Sequence, residues 1–245
     1  MSNELLWLGF AFLDLVLVLV VYRLFGRVGL FGLVVFNLLV CNVQVLKTVT
    51  LFGVTTTLGN VLYASVFLAT DILSEVWGRR EAKRAVFLGF IALAMMVVYM
   101  QIALVFTPAA DDFAQPHLAA IFGLMPRVAV ASLLAYLVSQ LHDIWAFHLL
   151  KRKTGGRHLW LRNTASTLAS QLLDSVIFCA VAFLGLFPWP VFLQILGTTY
   201  ALKLVMAVFD TPFIYLARRM RPLADGPGAD GPPVGGPSTN GPDEG

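Results

Sequence analysis

The chain alternates between long apolar stretches and short polar ones. Seven stretches are mostly apolar and roughly 18–25 residues long, the length at which a helix crosses a bilayer. They are Leu5–Tyr22, Val28–Leu46, Thr56–Trp77, Ala85–Phe106, Leu124–His148, Leu161–Phe187 and Val191–Ala217. This pattern predicts an all-α fold, a polytopic bundle of transmembrane helices. The second stretch is the weakest, and a six-span alternative would make it re-entrant or merge it with the third.

Basic residues gather in alternate connections between these stretches. They follow the first, third, fifth and seventh stretches. After the first stretch they are Arg23 and Arg27, and after the third they are Arg79, Arg80, Lys83 and Arg84. Around the connection after the fifth stretch they are Lys151, Arg152, Lys153, Arg157 and Arg162, and after the seventh they are Arg218, Arg219 and Arg221. Loops rich in Lys and Arg stay on the cytoplasmic side of a membrane. With an odd number of spans, the alternation predicts an N-terminus outside and a cytoplasmic C-terminus.

Composition supports a membrane protein. The chain is 58% hydrophobic and 13% charged, whereas ordinary soluble domains are about half apolar and about a quarter charged. We expect residues 1–221 to form the transmembrane domain. We expect residues 222–245, which are rich in Gly and Pro, to be a disordered tail, because such a segment cannot bury a core. The net charge of only +3 does not indicate a nucleic-acid partner.

No motif for catalysis or metal binding stands out. Cys41 and Cys179 lie in separate apolar stretches and lack the spacing of a zinc or redox pair. His142 and His148 are six residues apart, so they do not share a helical face. The zincin, nucleophile-elbow and phosphate-loop patterns do not occur. We therefore predict no enzyme, no catalytic residue, no cofactor and no bound metal.

Ionisable residues inside the predicted spans are candidate functional residues, because a charge in hydrocarbon is costly. They are Asp14, Asp71, Glu75, Asp143, Asp174, Lys203 and Asp210. Counting about 1.5 Å of rise per residue from the turn at Pro188 places Asp174 and Lys203 at similar depth on consecutive helices. We predict that these two pair. The pair could be purely neutralising, or it could open to admit a substrate.

Two short polar segments echo each other. Ser139-Gln140-Leu141-His142-Asp143 resembles Ser170-Gln171-Leu172-Leu173-Asp174, and in each segment Gln and Asp share a helical face. The two predicted helices run antiparallel, an arrangement typical of transporters whose site forms between repeats. A repeat of five residues can also arise by chance.

The residue types on these faces suit a purine-like ligand. A carboxylate can accept hydrogen bonds from two adjacent N–H groups of a guanine-type edge, and an amide can donate to the carbonyl oxygen. Further polar positions fit either a cavity or ordinary helix packing. They are Asn37, Asn42 and Gln44 in the second stretch and the segment Thr55–Asn60 at the start of the third. The residue types alone do not separate a heterocycle from an amino acid or an ion.

Three longer motifs carry a resemblance to a known family. They are ATDILSEVWGRREA at 69–82, SQLHDIWAFH at 139–148, and HLWLRN at 158–163 followed by SQLLD at 170–174. In combination they resemble the YhhQ-type queuosine precursor transporters of the vitamin uptake transporter family, over roughly Asn37 to Arg219. Trp77 stands where the family leads us to expect Tyr.

The resemblance implies import of 7-cyano-7-deazaguanine, with its aminomethyl form as a second candidate, across a bacterial inner membrane for tRNA modification. It also implies a relationship to the substrate-binding subunits of energy-coupling-factor importers. The partners would be the deazaguanine and the lipid bilayer, with the oligomeric state left open. The chain could alternatively be a substrate-binding subunit that needs a separate energising module, or a non-transporting membrane scaffold.

The candidate substrate-binding residues are five of the ionisable residues in the predicted spans and the Gln residue of each repeated segment. They are Asp71, Glu75, Gln140, Asp143, Gln171, Asp174 and Lys203. We expect the carboxylates and amides to take part in recognition or gating, with Lys203 as the counter-charge.

Overall fold

The structure is a computed structural model, which describes residues 2–153, 159–209, 211–220 and 222–223. It is a helical bundle with one small β-hairpin. The helices are α1 (Asn3–Gln44), α2 (Asn60–Trp77), α3 (Arg79–Val105), α4 (Gln115–Phe122), α5 (Met125–Lys153), α6 (Leu159–Phe183), α7 (Trp189–Phe209) and α8 (Thr211–Arg219). The strands are β1 (Thr48–Leu51) and β2 (Val54–Thr57).

Helix α1 folds back on itself at Gly26. This residue has φ 55° and ψ −135°, outside the helical region. The amide Nδ2 of Asn37 lies 3.4 Å from Oδ1 of Asp14, although a straight helix would separate residues 23 positions apart by about 34 Å. Residues 3–25 and 27–44 are therefore two antiparallel arms, which we call the first arm and the second arm. They correspond to the first two predicted spans.

The strands β1 and β2 were not predicted. They pair antiparallel, with Leu51 opposite Val54, and both residues of the turn, Phe52 and Gly53, have positive φ. This is the backbone of a tight two-residue hairpin. β-Branched Val and Thr residues on both sides of the turn favour strand over helix. The predicted start of the third span at Thr56 is therefore wrong, because α2 begins at Asn60.

The β-hairpin forms hydrogen bonds to residues near the start of two helices. The Asn3 amide donates to the carbonyl oxygen of Thr50 at 3.0 Å, and the backbone N–H of Phe52 donates to Glu4 at 3.0 Å. On the other side, the N–H of Thr55 donates to Oε1 of Gln194 at 3.0 Å. The starts of α1 and α7 thus lie together at one end of the bundle, which we call the hairpin end.

Charged residues connect the elements at the opposite end, which we call the arginine-rich end. Glu81 forms ion pairs with Arg84 at 2.6 Å and with Arg27 at 3.6 Å. Arg218, near the end of α8, pairs with Glu75 near the end of α2 at 2.9 Å. The turn between the arms, the α2–α3 connection and the end of α8 therefore meet on one side.

The outward surfaces are apolar. Phe12, Phe87, Val98 and Val105 are each more than half exposed, which is appropriate for helices whose solvent is lipid. Among the described residues, the helical stretches long and apolar enough to cross a membrane are Asn3–Gln44, Arg79–Val105, Gln115–Ser139 and Trp189–Met206. The chain is thus a helical membrane bundle, as predicted.

The last predicted span and the connection after the fourth span also differ from the prediction. The last predicted stretch, Val191–Ala217, is divided between α7 and α8, and Asp210 at their junction lies outside the described residues. A short helix, α4, occupies the connection after the fourth stretch. The number of spans and the orientation remain predictions, as does the tail, of which the described residues include only Pro222 and Leu223.

Candidate functional site

Asp174 of α6 and Lys203 of α7 form an ion pair inside the bundle. The Nζ atom of Lys203 donates directly to Oδ2 of Asp174, and the two side chains are only 7% and 8% exposed. The predicted pairing is confirmed. Two buried charges are tolerated together only when each has good partners, so the surrounding groups decide what this pair can do.

Each member of the pair has a further partner from another helix. The hydroxyl of Ser139 on α5 lies 3.4 Å from Oδ1 of Asp174 and 3.1 Å from the carbonyl oxygen of Tyr136, and it can donate to either. The ammonium of Lys203 lies 4.9 Å from the ring centroid of Tyr63 on α2, within the range of a cation–π interaction. The pair therefore joins four helices.

A cavity with an empty volume of about 490 Å³, part of it open to the outside, lies next to the ion pair. Its walls come from the second arm of α1 and from α2, α3, α5, α6 and α7. The lining residues are Leu38, Cys41, Asn42, Val45, Asn60, Tyr63, Phe90, Ser132, Ala135, Asp174, Phe178, Thr199 and Lys203.

Polar groups in the cavity wall are held by hydrogen bonds between helices. The hydroxyl of Ser132 on α5 donates to Oδ1 of Asn42 at 2.6 Å, while Nδ2 of Asn42 donates to the carbonyl oxygen of Leu38 at 2.7 Å. The hydroxyl of Thr199 is buried and has no hydrogen-bond partner among the described residues. A buried polar group without a partner beside a cavity is a natural contact for a ligand or a water molecule.

The remaining wall is aromatic and aliphatic. Tyr63, Phe90 and Phe178 present rings to the cavity, and each packs against another ring outside it. Phe90 lies 5.2 Å from Tyr136, Tyr63 lies 4.9 Å from Phe67, and Phe178 lies 5.7 Å from Phe183, as centroid distances. Rings buttressed in this way offer fixed apolar faces to a planar ligand.

The predicted site residues fall into three groups. Asp174 and Lys203 line the cavity. Gln171 is half-buried one turn before Asp174, and its Oε1 is buried without a described partner, but it does not line the cavity. The backbones of Gln140 and Asp143 belong to α5, and their side chains lie outside the described ones.

Asp71 and Glu75 occupy a different part of the molecule. Both side chains are exposed, and Glu75 pairs with Arg218 at the arginine-rich end. Neither residue lines the cavity.

Several cavity residues were absent from the candidate set. Asn42 and Asn60 have a sequence signal, because each is an amide in an apolar stretch. Tyr63, Ser132 and Thr199 have none, since Tyr, Ser and Thr are common in packed membrane helices. These three reach the cavity only through the way the helices pack.

The two echoing segments face each other across the α5–α6 contact. Ser139 reaches Asp174, and Nδ1 of His142 lies 3.0 Å from the hydroxyl of Ser170. Residues early in one segment thus meet residues late in the other, as antiparallel packing requires. This geometry places the motif at a helix interface beside the cavity.

Comparisons with known proteins agree with this architecture. Residues 57–217 match the family model described as "Putative vitamin uptake transporter". The "Probable queuosine precursor transporter" of Bacillus subtilis (strain 168) is 45% identical over 223 residues, covering 91% of this chain and 97% of that protein. The "Queuosine precursor transporter" of Escherichia coli (strain K12) is 34% identical over 160 residues, covering 63% and 69% respectively. No solved structure matches the chain.

The matches confirm two further predictions. A bundle of apolar helices in a family of bacterial transporters is a multi-pass protein of the inner membrane, and its family is one of transporters, not of enzymes. The family match covers α2 to most of α8, and with it the segments at 69–82, 139–148 and 158–174 that carry the sequence resemblance. The chain therefore belongs to the vitamin uptake transporter family.

Proposed function

We propose that the chain imports a queuosine precursor into the cytoplasm for tRNA modification, with 7-cyano-7-deazaguanine as the substrate and its aminomethyl form as a second one. The observation that carries this proposal is the buried Asp174–Lys203 pair in the wall of a partly open cavity between the helices. The names of the relatives from Bacillus subtilis and Escherichia coli support the substrate class.

Asp174 is suited to the polar edge of the base. A deazaguanine presents a ring N–H and an exocyclic amine side by side, and a carboxylate accepts both. To bind in this way, the substrate takes Asp174 oxygens that now lie against Lys203 and Ser139. Lys203 keeps the Tyr63 ring as a partner during this exchange, which lowers the cost of opening the pair.

The other cavity groups divide between polar recognition and stacking. Thr199 is available to a polar atom of the substrate, and Asn42 and Ser132 become available when the hydrogen bond between them opens, while Tyr63 and Phe178 offer apolar faces to its ring. A site that hydrogen-bonds a ligand in this way rejects analogues that lack the matching groups, because its own buried groups would remain unpaired.

One of the sequence-derived candidates, Glu75, fits gating better than recognition. The Glu75–Arg218 pair links the end of α2 to the end of α8 at the arginine-rich end. A pair at the mouth of a bundle can open and close without touching the substrate. We keep Gln140, Asp143 and Gln171 as proposed recognition residues because they lie on the α5 and α6 segments that frame the cavity.

The arrangement of the helix ends supports seven spans with the N-terminus outside. In that topology Asn3, the β-hairpin and Gln194 lie outside, and their hydrogen bonds join them. Arg27, Glu81 and Arg218 lie inside, as the positive-inside rule requires.

The test uses cells that cannot make deazaguanines but retain the downstream enzymes. These cells receive the chain and external 7-cyano-7-deazaguanine, and queuosine in tRNA is measured. We expect queuosine with the intact chain and with Asp111→Asn, an exposed loop carboxylate far from the cavity. We expect none with Asp174→Asn present in the membrane at the same level. Absence of queuosine with the intact chain would reject the proposed substrate.

A second experiment separates a transporter from its alternatives. The purified chain is reconstituted alone into liposomes, and uptake of labelled 7-cyano-7-deazaguanine is followed. Uptake by this chain alone supports a self-sufficient carrier. A binding subunit would show ligand-dependent thermal stabilisation but no uptake, and a scaffold would show neither.

A further inference from the structure

A second buried carboxylate lies outside the substrate cavity. Asp14, in the middle of the first arm, is 5% exposed. It lies in the wall of a groove of about 990 Å³ between the two arms of α1, lined among others by Leu17, Phe36 and Asn37. This groove and the substrate cavity share no lining residue.

The hydrogen bonds around Asp14 leave one of its oxygens without a partner. Nδ2 of Asn37 lies 3.4 Å from Oδ1 of Asp14 and 2.6 Å from the hydroxyl of Ser65, which itself donates to the carbonyl oxygen of Leu62. The Oδ2 atom of Asp14 is buried and has no hydrogen-bond partner among the described residues.

No described cation pairs with Asp14, which distinguishes it from Asp174. The second arm faces it with Asn37 and, about one turn further on, the buried thiol of Cys41. Helix α2 faces it with the uncharged Leu62 and Ser65. Because an unpaired carboxylate in a membrane interior is costly, and no described side chain supplies a cation, Asp14 calls for another means of neutralisation.

Among the side chains that the structure describes, the charged ones of the other elements packed against α1 lie away from this position. The charged residues of α3 and α8 lie at the arginine-rich end, where Glu81 holds Arg84 and Glu75 holds Arg218. On α5, Arg127 donates to the carbonyl oxygen of Val181 near the end of α6, toward the hairpin end.

The surroundings of Asp14 suit a proton rather than a sodium ion. Transporters that bind sodium use backbone carbonyls freed by unwound helices. The first arm and α2 are regularly helical around Asp14 and Ser65, so their carbonyls are already engaged. A single proton on Oδ2, in contrast, needs only the carboxylate.

The second arm of α1 contacts both Asp14 and the substrate cavity. Its Asn37 contacts Asp14, while its Cys41 and Asn42 line the substrate cavity. Helix α2 is shared in the same way, with Ser65 toward Asp14 and Tyr63 toward the cavity. A change at Asp14 that shifts the second arm therefore also shifts a wall of the cavity.

We propose that Asp14 is the coupling site of the carrier, which binds one proton on Oδ2 from the outside and releases it to the cytoplasm in each transport cycle. The O–H bond formed on loading is the bond broken on release, so no other reactant is needed. This inference rests on the proposed import of a deazaguanine, since coupling requires a transported substrate.

The test uses the purified chain in liposomes with labelled 7-cyano-7-deazaguanine and two assays. The first measures exchange of labelled for unlabelled substrate at equal pH on both sides. The second measures accumulation driven by an inward proton gradient, together with alkalinisation of the medium. We expect the unmodified chain to show exchange, accumulation and alkalinisation. We expect Asp14→Asn to keep exchange within twofold and to lose accumulation down to the level without a gradient.

The outcomes separate the two proposals. No exchange by the unmodified chain would reject the proposed substrate itself. Exchange with accumulation that a sodium gradient drives, or that occurs without proton movement, would overturn the role of Asp14 whatever the variants do. Gradient-driven accumulation by Asp14→Asn would also overturn it. If Asp14→Asn does not fold, Asp14→Glu keeps a carboxyl group, and its gradient-driven accumulation must persist.

Discussion

At the scale of single residues, Asp14 and Asp174, the buried carboxylates among the described side chains, have different surroundings. Asp174 has a lysine partner and a serine partner, whereas Asp14 has only the neutral neighbours Asn37 and Ser65 and no cation among the described side chains. The first arrangement suits a group that exchanges partners with an organic ligand. The second suits a group whose partner is a proton. The same residue type in two spans therefore serves two different chemistries in our proposals.

Removing one member of the Asp174–Lys203 pair should destabilise the fold more than removing both. Asp174→Asn leaves a buried ammonium and Lys203→Met leaves a buried carboxylate, each at a cost of about 3–5 kcal/mol. The double variant leaves no charge at this place, and its free energy of unfolding should fall by less than that of either single variant. The free energy of unfolding in detergent measures this coupling. A double variant whose loss equals the sum of the single losses would show that the two charges act independently.

Tyr63 should contribute to the apparent affinity for substrate through its ring. Tyr63→Leu removes a stacking face and the contact with Lys203, worth together about 1.5 kcal/mol, and should raise KM about tenfold. Tyr63→Phe keeps the ring and should change KM much less. Tyr99→Leu, at a position 59% exposed on the outer surface of α3, is the matched control. An unchanged KM in Tyr63→Leu would exclude Tyr63 from the binding site.

At this scale, the sequence shows which side chains are ionisable and how deep in the membrane each one lies along its helix. Asp174 and Lys203 could be paired in advance because both are ionisable and a fixed rise per residue places them at one depth. Tyr63, Ser132 and Thr199 could not be found, because their role depends on which face of each helix turns inward. The candidate residues Asp71 and Glu75 shared a face, as predicted, but that face is exposed.

At the scale of elements, the fold depends on how short connections reverse the chain. Gly26 reverses α1 within one residue, and Phe52 with Gly53 reverses the β-hairpin. Hydropathy located the apolar stretches but not these reversals. The β-hairpin was missed because its first eight residues were left in the short connection between the second and third stretches, and its last two, Thr56 and Thr57, were assigned to the predicted third span.

The reversal at Gly26 should depend on the absence of a side chain. Its φ of 55° with ψ of −135° is a conformation that only glycine adopts easily. Gly26→Ala should therefore cost about 1–3 kcal/mol of unfolding free energy. Gly9→Ala is the control, because a Cβ atom there meets no atom within 4 Å and alanine favours helix. Equal stability of the two variants would mean that the turn tolerates a different backbone.

At the scale of the whole molecule, the structure has two ends of different character. The hairpin end is held by hydrogen bonds between neutral groups and Glu4, and the arginine-rich end is held by ion pairs. This division matches the alternation of basic loops in the sequence. The sequence predicts an orientation because the membrane acts on loop charge directly, whereas it does not predict helix packing, which depends on side-chain shape.

Cysteine labelling tests the orientation in intact cells. Asp112→Cys lies in the exposed connection between α3 and α4, and Arg80→Cys is exposed at the start of α3, at the opposite end. A membrane-impermeant maleimide should label Asp112→Cys in intact cells and Arg80→Cys only after permeabilisation. The native thiols of Cys41 and Cys179 are buried and should add little background. The reverse labelling pattern would place the N-terminus in the cytoplasm.

The antiparallel arms of α1 also bear on how the protein enters the membrane during synthesis. An aspartate at the centre of a single inserting helix opposes partition into lipid by about 2.5–3.5 kcal/mol. The first arm carries Asp14 there, and the amide that bonds to it, Asn37, emerges from the ribosome only with the second arm. The two arms are therefore expected to leave the translocon as one unit, and a nascent chain that stops before Asn37 should integrate less efficiently than one that includes it.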